Sequence, residues 1–271
     1  MTRTIGTVAA QSISTGVDIM IIGNAANQGA TLGTRAVTQR VRTYNYTQIF
    51  RSPYGFSETL AASKLYGGAE PEKERRKKAV EHKRQIELTL FTGPRDFDTT
   101  NVKGYCGGLY EFITTNVTLG TNLTESSFDD FLRTALHYGS KNKSAHCAPR
   151  VASILSAFMR DGWIRATPGE SVFGAHVDSW VSSAYGWNLP MFVHRDWNEF
   201  GGAVSPGGEE SIGATMFVAD MEAVVLRPLR STRLLTNRQA NDADEITEEY
   251  LTELSFEVRS ERKHALLQGV S

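Results

Sequence analysis

The stretch best suited to chemistry is "FVHRDWNEFGG", in which His194, Asp196 and Glu199 surround Trp197. Two carboxylates, an imidazole and an aromatic platform are the parts of general acid–base work on a sugar, where one acid protonates the leaving oxygen and a second carboxylate activates water or attacks. The same residue types open turns and plug cores, and neighbours in sequence need not converge in space. The reading therefore stands as an alternative: a carbohydrate-active or metal-assisted hydrolase using His194, Asp196 and Glu199. Thiolate and imidazole are zinc's preferred ligands, which singles out Cys106, Cys147, His137, His146 and His176, but none has the short paired spacing of a zinc site. Residues 23–35, "GNAANQGATLGTR", are glycine-rich and lack the Lys-Ser/Thr ending with which a phosphate loop reaches phosphate and magnesium, so a flexible loop is expected. The basic run at 73–78 is interleaved with glutamates and reads as a solvated helix face rather than a phosphate grip. No Ser/His/Asp or Cys/His arrangement can be recognised, and we expect no catalytic residue, no cofactor and no metal.

The elements that would position these groups come from a chain of 271 residues, 40% hydrophobic and 10% aromatic, ample for a real core. A net charge of -1 and a pI near 6.6 lack the basic excess of a protein whose main work is gripping phosphates. Two cysteines far apart argue against a disulfide framework and for folding in a reduced, intracellular setting. No apolar run approaches the ~20 residues of a bilayer crossing, and the chain reads as soluble and unsecreted.

Residues 1–36 are rich in Gly, Ala, Ser and Thr, with one short strand expected at the apolar run 17–22. From 37 to 51 β-branched and aromatic residues predict a long strand, and Ser52-Pro53-Tyr54-Gly55 supplies turn chemistry. In "YNYTQIFRSPYGFSETL" apolar side chains fall on both faces rather than one.

The clearest helix is predicted over 70–91. Pro71 suits its first turn, Glu70, Glu72 and Glu74 complement the dipole, Gly93-Pro94 stops it, and Ala79, Val80, Ile86, Leu90 and Phe91 give a narrow apolar stripe. A second helix follows Thr124 as its cap, with Leu123 and Phe128 as a hydrophobic staple, and a third opens at Pro149 with Val151, Ile154, Leu155, Phe158 and Met159 inward. The remainder is mostly β: "HVDSWVSSAYG", "MFVHR", "ATMFVAD", "AVVLRPL" and a long closing strand in which Tyr250, Leu254, Phe256 and Val258 alternate with polar residues. The class is α+β without repeats.

"YNYTQIFRSPYGFSETLAASKLYGG" followed by "EPEKERRKKAVEHKRQIELTLFTG", and later "GATMFVADMEAVVLRPLRSTRLL" and "EEYLTELSFEVRSERKHALLQGV", together resemble a family of tailed-bacteriophage major capsid proteins with the Hong Kong 97-type (HK97-like) fold. The likeness covers roughly 40–271 and rests on the order of the segments. It implies an N-terminal arm or irregular segment at 1–36, an extended-loop β-ribbon at 37–66, and a peripheral domain at 67–123 with the spine helix at 70–91. A mainly axial domain at 124–214 and return strands to the peripheral domain at 215–271 complete it. It further implies a virion protein, assembled in the host cytoplasm into hexamers and pentamers of an icosahedral shell around double-stranded DNA, which it contacts weakly and non-specifically. Portal and decoration or scaffolding proteins would be partners, and no membrane. Tyr44, Tyr46, Ile49, Phe50, Arg51, Tyr54 and Phe56 would lie at subunit interfaces. Permanent interfaces commonly exceed ~2,000 Å², so apolar residues on extended arms fit that reading. A receptor-binding or decoration protein on a virion is a third possibility, separated from a shell subunit by copy number.

Overall fold

The computed structural model describes residues 2–3, 11–12, 28–29, 31, 41–63, 70–162, 179–198 and 212–270. Two units can be distinguished, Met1–Thr43 and Tyr44–Ser271. In the first, β1 (Thr2–Arg3) and β2 (Gln11–Ser12) pair antiparallel. The strand expected at 17–22 and most of the glycine-rich segment lie outside the described residues.

The second unit runs β3 (Gln48–Ser57), α1 (Glu58–Ala62), α2 (Glu70–Thr92), β4 (Asp96–Asp98), β5 (Lys103–Tyr105), α3 (Leu109–Phe112), β6 (Val117–Leu119), α4 (Glu125–Ala135), β7 (Lys143–Cys147) and α5 (Pro149–Gly162). It continues with β8 (Ser179–Val181), β9 (Asn188–Val193), β10 (Met216–Asp220), β11 (Val224–Leu235), β12 (Glu245–Val258) and β13 (Ala265–Gln268). A six-stranded mixed sheet has the order β6-β13-β10-β7-β9-β8, a three-stranded antiparallel sheet the order β11-β12-β3, and β4 and β5 form a hairpin. Among the described residues no helix is long and apolar enough to cross a membrane.

The main core lies on the six-stranded sheet. Its central strand β10 is buried along its whole length, and α4 supplies Phe128, Phe131, Leu132 and Ala135 while α5 supplies Val151 and Leu155. The sequence signals for α4 act as expected: Thr124 accepts from the Ser127 amide, Ser127 bonds back to the Thr124 amide, and Leu123 and Phe128 are both buried. At its far end Lys143, itself buried, donates through Nζ to the carbonyls of Ala135, Tyr138 and Lys263, satisfying groups a helix terminus leaves bare. Burial draws the Lys143 pKa down to about 8, with the Asp220 carboxylate opposing that shift.

The three-stranded sheet corrects one expectation. Ser52 to Gly55 make no turn, and β3 runs straight through them from Gln48 to Ser57, while 41–47 carry no regular structure and 37–40 lie outside the described residues. Turn chemistry is a local preference, and the antiparallel ladder to β12, from Ser57 opposite Glu245 to Gln48 opposite Leu254, overrides it. Pro53 is tolerated because β3 is an edge strand.

The helix α2 extends one residue beyond the expected 70–91 and stops where Gly93 passes the Cys106 carbonyl so closely that a Cβ would lie 2.3 Å from that oxygen. Val80 is half exposed, not part of the inward stripe, which runs Arg75, Ala79, His82, Ile86, Leu90 at helical spacing. The closing strands divide, β10 and β13 joining β7 and β6 in the larger sheet, β11 and β12 joining β3.

Candidate functional site

Two polar constellations bind α2 to its surroundings, one on each sheet. On the three-stranded sheet β3 alternates strictly, with Phe50, Ser52, Tyr54 and Phe56 buried and Ile49, Arg51, Pro53 and Gly55 exposed. Phe50 joins Cys106, Leu254 and Phe256 in a small core closed by Ile86 and Leu90 of α2. Beside it His82, 1% exposed, holds Ser52 Oγ at 2.9 Å through Nδ1 and Thr252 Oγ1 at 2.7 Å through Nε2, and Thr252 passes a hydrogen bond to Thr232 Oγ1 at 2.8 Å. Ser52 Oγ also donates to Gln85 Oε1 at 3.3 Å, so the network ties α2 to β3 and β12 through two of its side chains. Burial lowers the His82 pKa, which favours the neutral imidazole. Two turns earlier Arg75 clasps Glu248 with bonds of 2.8 and 2.6 Å, and the Tyr54 hydroxyl donates to the same carboxylate at 2.5 Å. Those Arg75 hydrogen bonds hold the Glu248 carboxyl below the usual range although its side chain is only 2% exposed.

The opposite face of the same sheet is a ladder of charges. Glu249 takes Arg51 and Arg238, Glu253 takes Arg230, and Glu257 takes Arg227 and Arg259. Cross-strand pairing places these partners on one face, because residues of one parity along β12 point the same way.

The geometry thus splits the seven residues expected at a subunit interface. Phe50, Tyr54 and Phe56 are 5%, 8% and 7% exposed within the single chain, Phe50 against Ile86 and Leu90 of α2 and Tyr54 beside the Arg75–Glu248 pair. The two-faced appearance of the ribbon arose because α2, arriving later in the chain, covers one face. Tyr44 and Ile49 are 63% and 52% exposed, Arg51 is exposed in the charged ladder, and Tyr46 is half-buried against Phe97. Arg95 lies over the Tyr44 ring at 4.9 Å and donates to its carbonyl.

On the six-stranded sheet His194 is the centre. Its Nδ1 lies 2.7 Å from Glu87 Oε1 of α2 and its Nε2 lies 2.9 Å from His146 Nδ1 of β7, and His146 Nε2 meets Ser144 Oγ at 2.9 Å. Phe91, Trp197 and Phe192 wall the rings, with Trp197 stacked on His194 at 4.5 Å. Burial, with His194 alongside, pulls His146 down to about 4, and burial also lowers His194 against the opposing pull of Glu87 and Asp196. A shallow pocket of about 160 Å³ opens here, lined by Arg84, Glu87, His194, Arg195, Asp196 and Trp197 among others.

This arrangement does not support the hydrolase alternative. Asp196 turns to Arg84 at 3.0 Å instead of to His194, Trp197 is 1% exposed as a core plug rather than a sugar platform, and Glu199 lies outside the described residues. Ser144, the hydroxyl at the end of the chain, is buried. Among the zinc candidates, Cys106 and Cys147 sit in separate clusters, and burial raises both thiols, Cys147 to about 12. His137 faces the Tyr185 hydroxyl, and His176 lies outside the described residues. Among the described residues no group of three His, Cys, Asp or Glu is placed to hold a metal ion. Sequence reasoning missed His82 and Arg75. The signal was available in the spacing, since stepping back from Leu90 and Ile86 by helical turns lands on His82, Ala79 and Arg75.

A long helix against a three-stranded sheet, beside a mixed sheet packed with two helices, is an α+β architecture that several solved structures share. The capsid of a native GTA particle matches with a TM-score of 0.60 at 10% identity, over 92% of this chain and 81% of that one. Gordonia phage Cozz matches at 0.54 and 12% identity (88% and 78%), and the holo-SrpI encapsulin complex of Synechococcus elongatus PCC 7942 at 0.52 and 11% identity (83% and 74%). The fold is therefore HK97-like. A family model described as the SU10 major capsid protein matches residues 1–271, and the chain belongs to that family. It is also similar to the major capsid protein of Pseudomonas phage PaMx41, 27% identical over 135 residues, which is 47% of this chain. That match spans about a third of the relative, 32% of its length.

Proposed function

We propose that the protein is a structural subunit of a bacteriophage shell. Many copies assemble into hexamers and pentamers of an icosahedral capsid that encloses double-stranded DNA, without chemical turnover. The match of a major capsid protein family model to the whole chain carries this reading, and the HK97-like fold supports it. In the subunit α2 serves as the spine helix of a peripheral domain with the three-stranded sheet. Helices α4 and α5 with the six-stranded sheet form the axial domain, and the segment around β3 belongs to the extended loop. Tyr44, Tyr46, Ile49 and Arg51 contribute to contacts between copies, since their side chains keep surface to bury. At ~25 cal/mol per Å² of apolar area, such contacts outweigh lone surface ion pairs at ~0 to 1 kcal/mol. The DNA contact is weak and non-specific, in keeping with a net charge of -1. Portal and decoration or scaffolding proteins complete the virion, which assembles in the host cytoplasm. Electron microscopy and native mass measurement of the purified protein test the reading: shells, tubes or capsomers are expected, and a chain that stays monomeric under every assembly condition defeats it.

A further inference from the structure

The chain Ser144, His146, His194, Glu87 links α2 to the six-stranded sheet through three consecutive hydrogen bonds, and its atoms allow one direction at neutral pH. Glu87 as a carboxylate only accepts, so His194 donates from Nδ1 and presents a bare Nε2. His146 must then donate from Nδ1, leaving its own Nε2 bare, and the Ser144 hydroxyl donates to it. Both imidazoles are neutral and every bond is satisfied.

We propose that these four residues form a proton-sharing clasp that fastens α2 to the sheet, absorbs one proton by reversing its hydrogen bonds, and opens on the second. In the first step the proton taken from solvent binds His146 Nε2, and the Nδ1 proton of His146 crosses to His194 Nε2. One proton enters and no heavy-atom bond changes. His146 is then the neutral Nε2–H tautomer donating to Ser144 Oγ, and His194 is an imidazolium between His146 and the Glu87 carboxylate, so the tie to α2 tightens into an ion pair. On the two imidazoles a second proton can only sit on His146 Nδ1, where it would face the Nε2–H of His194 across 2.9 Å. Two donors and two positive charges then oppose each other among Phe91, Phe192 and Trp197, and the clasp parts.

The surrounding charges favour that order. From α2 come Glu87 and Arg84, and from the turn after β9 come Arg195 and Asp196, with Arg84 held by Asp196 at 3.0 Å. The carboxylates lie on the His194 side, whereas the His146 ring packs against Phe91 and Phe192 and, besides His194, meets the Ser144 hydroxyl among the described residues, so the first charge settles on His194 and the second meets a desolvated site. Burial holding His146 down to about 4 agrees with that sequence of events.

The inference does not depend on shell formation, and its test uses the dispersed full-length chain with ¹⁵N-labelled histidine. Imidazole ¹⁵N–¹H correlations, assigned with His146→Gln and His194→Gln variants, are followed from pH 8 to pH 3.5. Both rings should start as Nδ1–H tautomers, and His146 should switch to the Nε2–H form at the same midpoint at which His194 gains charge. A lower second step should coincide with faster amide exchange in the last two turns of α2. Glu87→Gln, at a half-exposed position that should leave the fold intact, should lower the proton affinity of His194 at least tenfold. A His146 tautomer that stays fixed while His194 titrates overturns the proposal, as does a His194 midpoint unmoved by Glu87→Gln.

Discussion

Replacing Arg75 by methionine tests whether α2 is held to the three-stranded sheet by a buried charge pair. The wild-type guanidinium supplies two bonds of 2.8 and 2.6 Å to a Glu248 side chain that is 2% exposed. Hydrogen bonds to charged groups contribute about 1.5 to 3 kcal/mol each, and stranding one partner of a buried pair costs about 3 to 5 kcal/mol. Arg75 itself is 41% exposed, so water can partly replace it, and the expected loss is the low end of that range, about 3 kcal/mol. Adding Glu248→Gln to the Arg75→Met variant should recover about 1 to 2 kcal/mol, because the carboxamide still accepts from Tyr54 and leaves no buried charge. The assay is urea unfolding of the dispersed chain at pH 7, followed by tryptophan fluorescence. The Arg75 bonds hold Glu248 below its unfolded pKa of about 4.3, so its stabilisation is full above that pH and fades as pH falls through the folded value. In the Arg75→Met chain burial is opposed only by the Tyr54 hydrogen bond, so Glu248 is held down less than in the wild type and the stability gap between the two narrows as the pH falls through about 4. A loss below about 1 kcal/mol, or single and double variants that simply add, would refute the reasoning.

Other outcomes follow from the same geometry. His82→Leu should cost about 1 to 3 kcal/mol in urea unfolding by removing the bonds to Ser52 and Thr252, which keep only Gln85 and Thr232 as partners; a loss within 0.5 kcal/mol or so contradicts the bridge. Because burial lowers His82 and His264 as well as His146 and His194, the unfolded chain binds more protons below its histidine pKa of about 6.5. Stability of the dispersed chain should therefore fall between pH 6.5 and 5, by up to ~1.4 kcal/mol per pH unit for each histidine, and a flat profile would be evidence against neutral buried rings. Val102 has a left-handed backbone (φ 53°) that a β-branched residue adopts at a cost, and its side chain is 76% exposed. Val102→Asn should thus raise stability by about 0.5 to 1 kcal/mol, and a drop would show the turn is unstrained. Gly93→Ala should lower the unfolding midpoint by more than any surface Gly→Ala change, since its Cβ would meet the Cys106 and Thr89 carbonyls at 2.3 and 2.7 Å.

The helices were legible because their information is local. Thr124 and Ser127 lie three residues apart, the apolar stripes of α4 and α5 repeat with the helical period, and Gly93-Pro94 marks a stop that chain chemistry alone imposes. The alternation of β12 was likewise written in its residues, and the order of segments carried the capsid resemblance. Tyr44 and Ile49 are exposed in the single chain, but nothing near Phe50 or Tyr54 announces that a helix some thirty residues later will pack beside them.

What only the tertiary structure decided are the partners separated along the chain. Ser52 to Gly55 carry turn residues, and a ladder to residues almost two hundred positions away makes them strand. His194, Asp196 and Glu199 are sequence neighbours, yet His194 finds Glu87 and His146 while Asp196 finds Arg84. Hydrogen bonds and ion pairs act over about 3 Å, so their choice of partner depends on how helices and sheets stack, and stacking is set by burial of apolar faces that the whole chain must assemble first.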